Sequence, residues 1–194
     1  MYSIPTSICI DGVEYRIRND GDYRVILDCF RALEDAELMP RERLLCSLII
    51  FYDDFNSVSD VLELNNLNKF VDEMYNFFNC GSTQSIGSRV NHKVIDWEQD
   101  EQLICSAINT VANKEIRAES YVHWWTFMGY YTAIGECPLS TIIQIRSKIV
   151  NGERLENYER KFRTKNPQYF IWNSRTLEEK EADKLAKELW NAEG

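Results

Sequence analysis

The stretch Tyr121-Val-His-Trp-Trp-Thr-Phe-Met-Gly-Tyr-Tyr131 constrains this fold more than any other part of the chain. It places two adjacent tryptophans, a phenylalanine, a methionine and three tyrosines in eleven residues. It follows Ser120, a good N-cap, and precedes Gly135-Glu-Cys-Pro138, a break that ends one helix and starts another. On a helix, adjacent residues sit about 100° apart, so Trp124 and Trp125 cannot share one narrow face. Aromatic surface then wraps most of the way round, and such a helix must be covered on nearly all sides. It is either the central helix of the fold or a helix that completes its burial against a partner.

A chain of 194 residues with 44% hydrophobic and 12% aromatic content can build one sizeable core. The longest apolar runs are short, such as Leu48-Ile-Ile-Phe-Tyr52, and none approaches the roughly 20 residues that span a bilayer. The N-terminus has neither a basic segment nor a long apolar one, so no secretory signal is read there. The expectation is a protein made and kept in the cytoplasm of its host, unless later built into a particle. Six cysteines, at 9, 29, 46, 80, 105 and 137, form no CxxC pair, and several sit in apolar patterns. They read as reduced, small hydrophobes rather than as disulfides or metal ligands.

Hydrophobic spacing and turn residues predict a mainly α chain, a helical bundle of about six to eight helices preceded by a β-hairpin. Alternating apolar residues flank Asp11-Gly12, which suits a tight turn, so strands are predicted at about 6–10 and 13–17. A lone hairpin is marginal in water and must pack on a helix or pair with another chain. Asp20 or Asp22 caps a helix running to about Glu37, Pro40 opens a second, and Asn65 or Asn66 caps a third. The polar, glycine-bearing segment 81–95 reads as a loop between an N-terminal part, 1–80, and a C-terminal part, 96–194, in what is one domain overall. In the second part, Asp96-Trp-Glu-Gln99 has capping-box form and opens a helix. The aromatic helix, a helix from Leu139 to Val150 stopped by Asn151-Gly152, and a short one ending at Phe162 follow. Thr176-Leu-Glu-Glu179 caps a charged final helix ending near Trp190.

Catalytic signatures are absent from this pattern. His123 is expected inside the aromatic helix as a packing residue, and His92 in a polar segment. No GxSxG elbow and no phosphate-cradling glycine motif occurs. The densest carboxylates are Asp53-Asp54 with Asp60, and Asp96, Glu98, Asp100 and Glu101. They allow a metal-dependent hydrolase as an alternative. The second group also falls where a helix N-terminus favours acids. Neither group has the spacing of a known ligand set, so no metal and no cofactor is assigned.

Charge is uneven. The net charge is −9, yet residues 139–165 carry seven basic and three acidic side chains. This segment is either a solvated amphipathic surface or a docking face for an acidic partner. A nucleic-acid-binding module over residues 146–165 is a further alternative, opposed by the acidic remainder.

The block His123-Trp-Trp-Thr-Phe-Met-Gly-Tyr-Tyr, followed by Ile145-Arg-Ser-Lys148 and by Gly152, Leu155, Glu159, Phe162 and Asn166, resembles a family of bacteriophage and prophage proteins. These are encoded in the tail-gene region of long-tailed siphophages and are labelled minor tail proteins or tail assembly chaperones. The likeness is densest over about 96–166. Ile149-Val150-Asn151 departs from it, since such proteins often carry lysines there. The resemblance implies a non-enzymatic tail assembly factor or minor tail component. Its partners would be the tape-measure protein, the tail-tube protein or both, with self-association possible and no membrane. No catalytic residues come with the family. The residues expected to meet a partner are Trp124, Trp125, Phe127, Arg146, Lys148, Arg154 and Lys161.

Overall fold

The computed structural model describes residues 3–82 and 94–171. It is mainly helical, with a two-stranded antiparallel hairpin at the start, as predicted. Strands β1 (Ser7–Ile10) and β2 (Val13–Arg16) meet in register, with Ile10 opposite Val13. Asp11 and Gly12 close the turn with φ of 52° and 83°, the two positive values a tight type I′ turn needs. The hairpin packs within its own chain. Tyr15 sets its ring edge-on against Phe70 at 4.8 Å, and the Asp53 N–H donates to the Arg16 carbonyl at 2.9 Å.

Eight α-helices follow among the described residues: α1 (Tyr23–Glu34), α2 (Pro40–Phe51), α3 (Val58–Leu62), α4 (Leu67–Phe78), α5 (Glu101–Ala112), α6 (Trp124–Thr132), α7 (Pro138–Val150) and α8 (Asn157–Lys165). The most extensive helix–helix contact joins α1 and α2, while α6 packs on α1 and α5. One hydrophobic core runs through both the earlier and the later helices. It includes Ile26, Leu48, Phe51 and Met74 from the first group and Ile108, Trp124, Phe127 and Leu139 from the second.

Several boundaries differ from the sequence expectation, each for a local reason. Helix α1 stops at Glu34, because Asp35 leaves the helix and accepts the Glu37 N–H in a turn. The short α3 was not expected. Ser57 caps it, and the Asp60 carboxylate reaches back to the Ser57 N–H at 2.9 Å, a capping box with Asp in the acidic place. Asp96 caps a turn rather than a helix: it accepts the Glu98 and Gln99 N–H groups, and α5 begins only at Glu101. Helix α8 starts at Asn157 and runs to Lys165, beyond Phe162. The expected final helix, and most of the expected loop 81–95, lie outside the described residues.

The start of α6 carries the main correction. Ser120 does not cap it, and His123 is not inside it. Asp22 accepts the Val122 N–H at 2.9 Å, and Val122 accepts the Tyr23 N–H at 2.9 Å. These bonds hold 121–123 extended against the start of α1. The helix therefore begins at Trp124 with His123 as its cap.

Candidate docking surfaces

His123 sits where three parts of the chain meet. Its Nδ1 accepts the Trp125 N–H at 3.0 Å, and its Nε2 lies 3.0 Å from the Pro5 carbonyl. A carbonyl can only accept, so Nε2 carries the proton and the ring is neutral. Burial holds its pKa below the ordinary value, against the opposing pull of the Pro5 carbonyl and of Asp22. The ring packs edge-on to Phe77.

The adjacent tryptophans serve one helix end. The Trp124 indole N–H donates to the Phe78 carbonyl, and that of Trp125 to the Phe77 carbonyl, both at 2.9 Å. The last carbonyls of a helix lack partners within it, and here two of the last carbonyls of α4 are met by neighbouring indoles. Trp124 and Phe127 are each 1% exposed. Phe127 stacks on Tyr23 at 4.4 Å and 5°. Neither residue presents a surface to a partner, which corrects the expectation for both. Trp125 is half-buried, with its ring against Phe77 and close to Gly81.

Arg146 is corrected as well. It is 3% exposed and forms a bidentate pair with the fully buried Asp100, with Nη2 2.9 Å from Oδ1. Its Nε donates to the Tyr169 carbonyl at 2.7 Å and its Nη1 to the Val94 carbonyl at 3.1 Å. Arg146 thus ties α7 to the approach of α5 and to the turn after α8. Lys148 is committed too: its ammonium donates to Glu159 at 2.7 Å and holds that carboxyl below the usual carboxylate range. Arg154 and Lys161 are exposed, as are Arg160, Arg163 and Lys165. The seven expected residues therefore do not converge on one surface. Only Arg154 and Lys161 are open, and they belong to a cationic strip along and before α8.

Two grooves lie elsewhere. The first, about 580 Å³, runs between the C-terminal half of α6 and one side of α7. Tyr131, Ile134, Leu139 and Ile143 give it an apolar lining, and Lys148 and Glu153 stand at its edge. The sequence held a signal for it. Leu139, Ile142, Ile143, Ile145 and Ile149 spread round α7 more widely than one-sided burial requires. Leu139, Ile142 and Ile145 are buried in the core, which leaves the half-buried Ile143 as the apolar side chain that α7 offers to the groove, over Leu139 at its floor. The second groove, about 570 Å³, lies between the C-terminal half of α1 and residues 96–101. Phe30 and Trp97, stacked at 6.0 Å and 6°, form its aromatic wall. Asp28, Glu34, Asp35, Glu37, Glu98 and Glu101 make its rim predominantly acidic, with Arg31 among them and 3.7 Å from Glu98.

Most of the carboxylates singled out for metal chemistry hold the fold. Asp53 pairs with Arg18 at 3.1 Å, Asp54 accepts the Arg16 N–H, Asp60 caps α3, and Asp100 binds Arg146. Among the described residues, no three His, Cys, Asp or Glu side chains come together in a metal-holding arrangement. The hydrolase alternative draws no support from them. No helix among the described residues is long and apolar enough to cross a membrane.

Comparison with known proteins places this helical chain among bacteriophage proteins. The family described as Bacteriophage Gp15 protein matches residues 2–170, which is most of the chain, and the protein belongs to that family. No curated protein and no solved structure matches it.

Proposed function

We propose that this protein is a non-enzymatic assembly factor or minor component of a siphophage tail, and that it holds an apolar helical segment of a tail protein in the α6–α7 groove. The partner is the tape-measure protein, the tail-tube protein or both. One observation carries the reading: the open apolar groove is built from α6 and α7, two of the helices within the stretch of about 96–166 where the family resemblance is densest. A groove of this kind suits an amphipathic helix laid in by its apolar face. Membership of a phage protein family supports the same reading.

The test is co-expression with the tape-measure protein from the same gene cluster, followed by light scattering of the purified product. A soluble complex of fixed stoichiometry is expected, and Ile143→Asp, which puts a charge in the groove, is expected to abolish it. A well-behaved protein that captures neither the tape-measure nor the tail-tube protein at low salt overturns the proposal.

A further inference from the structure

The two surfaces that the α6–α7 groove does not use are chemically complementary to one another. The α1 groove offers an aromatic wall, Phe30 and Trp97, under a rim of carboxylates. The exposed face of α8 offers the reverse. Tyr158 is 60% exposed, an unusual setting for a large aromatic, and Lys161 and Lys165 follow it at i+3 and i+7 on the same face. Arg154 lies four residues before Tyr158, in the stretch that precedes α8, and is exposed as well. Arg154, Lys161 and Lys165 form no ion pair among the described residues, whereas Lys148 is held by Glu159. The cations available on this strip are thus those that point away from the body.

We infer that the acidic α1 groove receives the α8 strip of a second copy of this chain, with Tyr158 against Trp97 and the flanking cations among the carboxylates. The contact is head-to-tail. One copy spends its groove and the other its strip, so the pair keeps one unused strip and one unused groove, and association continues into a ring or a short filament. The net charge of −9 opposes random contact between copies. Only the orientation that brings the local positive strip to the acidic groove is attractive, so charge selects the geometry. Nine helical residues reach about 14 Å, enough to lay two turns along the groove. The self-association is independent of the partner held in the α6–α7 groove, and its failure leaves that proposal standing.

The experiment uses the full chain at several concentrations by light scattering, at low salt and at about 500 mM salt, where charges are screened within a few ångströms. Two charge-reversed variants are compared: Lys161→Glu with Lys165→Glu, which spoils the strip, and Glu37→Lys with Glu98→Lys, which spoils the groove. All four side chains are exposed, and melting curves matching the native chain confirm that both variants fold. The native chain is expected to grow beyond twice its 22.8 kDa mass at low salt and to fall back at high salt. Each variant alone is expected to stay monomeric. An equimolar mixture is expected to give a dimer that grows no further, since it contains one intact groove and one intact strip. A native chain that is monomeric throughout overturns the inference. So does assembly that both variants retain, or a groove that binds an added lysine-rich peptide while the native chain stays monomeric.

Discussion

Arg146 grips Asp100 across 46 residues of sequence in an ion pair whose side chains are 3% and 0% exposed. The guanidinium also donates to the carbonyls of Val94 and Tyr169. One side chain thereby fixes α7, the approach to α5 and the turn after α8. Burying two charges is costly, and the fork geometry of arginine, with every contact satisfied, offsets that cost. Asp100→Asn or Arg146→Ala strands the other charge and is expected to destabilise the protein by about 3–5 kcal/mol. The apolar double replacement Asp100→Leu with Arg146→Met is expected to recover most of that loss. Urea denaturation of the three variants checks both statements.

The tryptophan pair gives a second contrast. Trp124→Ala removes a fully buried ring and leaves the Phe78 carbonyl unmet, at an expected cost of about 3–5 kcal/mol. Trp125→Ala acts at a half-buried site and is expected to cost less, about 1 kcal/mol for one lost hydrogen bond, since the Phe77 carbonyl still accepts the Cys80 N–H. Denaturant midpoints measured side by side give the order.

His123 makes stability depend on pH. Its folded pKa lies below the unfolded value of about 6.5, so between the two the unfolded chain binds a proton that the folded chain refuses. Stability is full above pH 6.5 and falls as pH drops below it. Protonation also removes the Nδ1 lone pair that caps α6. His123→Asn keeps a capping acceptor and is expected to flatten this part of the curve, read from melting temperatures between pH 7.5 and 5. Glu159 and Glu115 act in a lower window. Their lowered pKa values give stability that is present above about pH 4.5 and lost as pH falls, towards about 2 for Glu115.

Gly21 lies under the same histidine with φ of +80°. A Cβ there meets the Phe77 ring at 2.8 Å and His123 Nε2 at 3.1 Å. Gly21→Ala combines backbone strain with a clash and is expected to lower stability by more than about 1 kcal/mol. Gly135→Ala, with open space and no positive φ, serves as the control in the same thermal melts.

Local signals were legible in the sequence and long-range ones were not. Asp11-Gly12 set the hairpin, Pro40 and Pro138 opened α2 and α7, and the three-and-four spacing of Tyr23, Ile26 and Leu27 marked α1. Each depends only on neighbours. The Ser57-to-Asp60 capping box that starts α3 is equally local. The start of α6 is set by Asp22, 100 residues away from Val122, so Ser120 looked like a cap and was not. Arg146 belonged to a basic run, and nothing within that run shows that Asp100 waits opposite. The composition of the aromatic block demands cover, and that cover is α4, α1 and the turn at Trp97. The open surface lies one element further on, at Ile134 and Ile143.

Hydrogen–deuterium exchange of the full chain, alone and with its tape-measure protein, tests the central claim most directly. The account predicts slowed exchange over residues 131–134 and 139–147, which line the α6–α7 groove, and unchanged exchange in the β1–β2 hairpin. A complex that forms while 131–147 exchange as fast as before, or that protects only the hairpin, contradicts it.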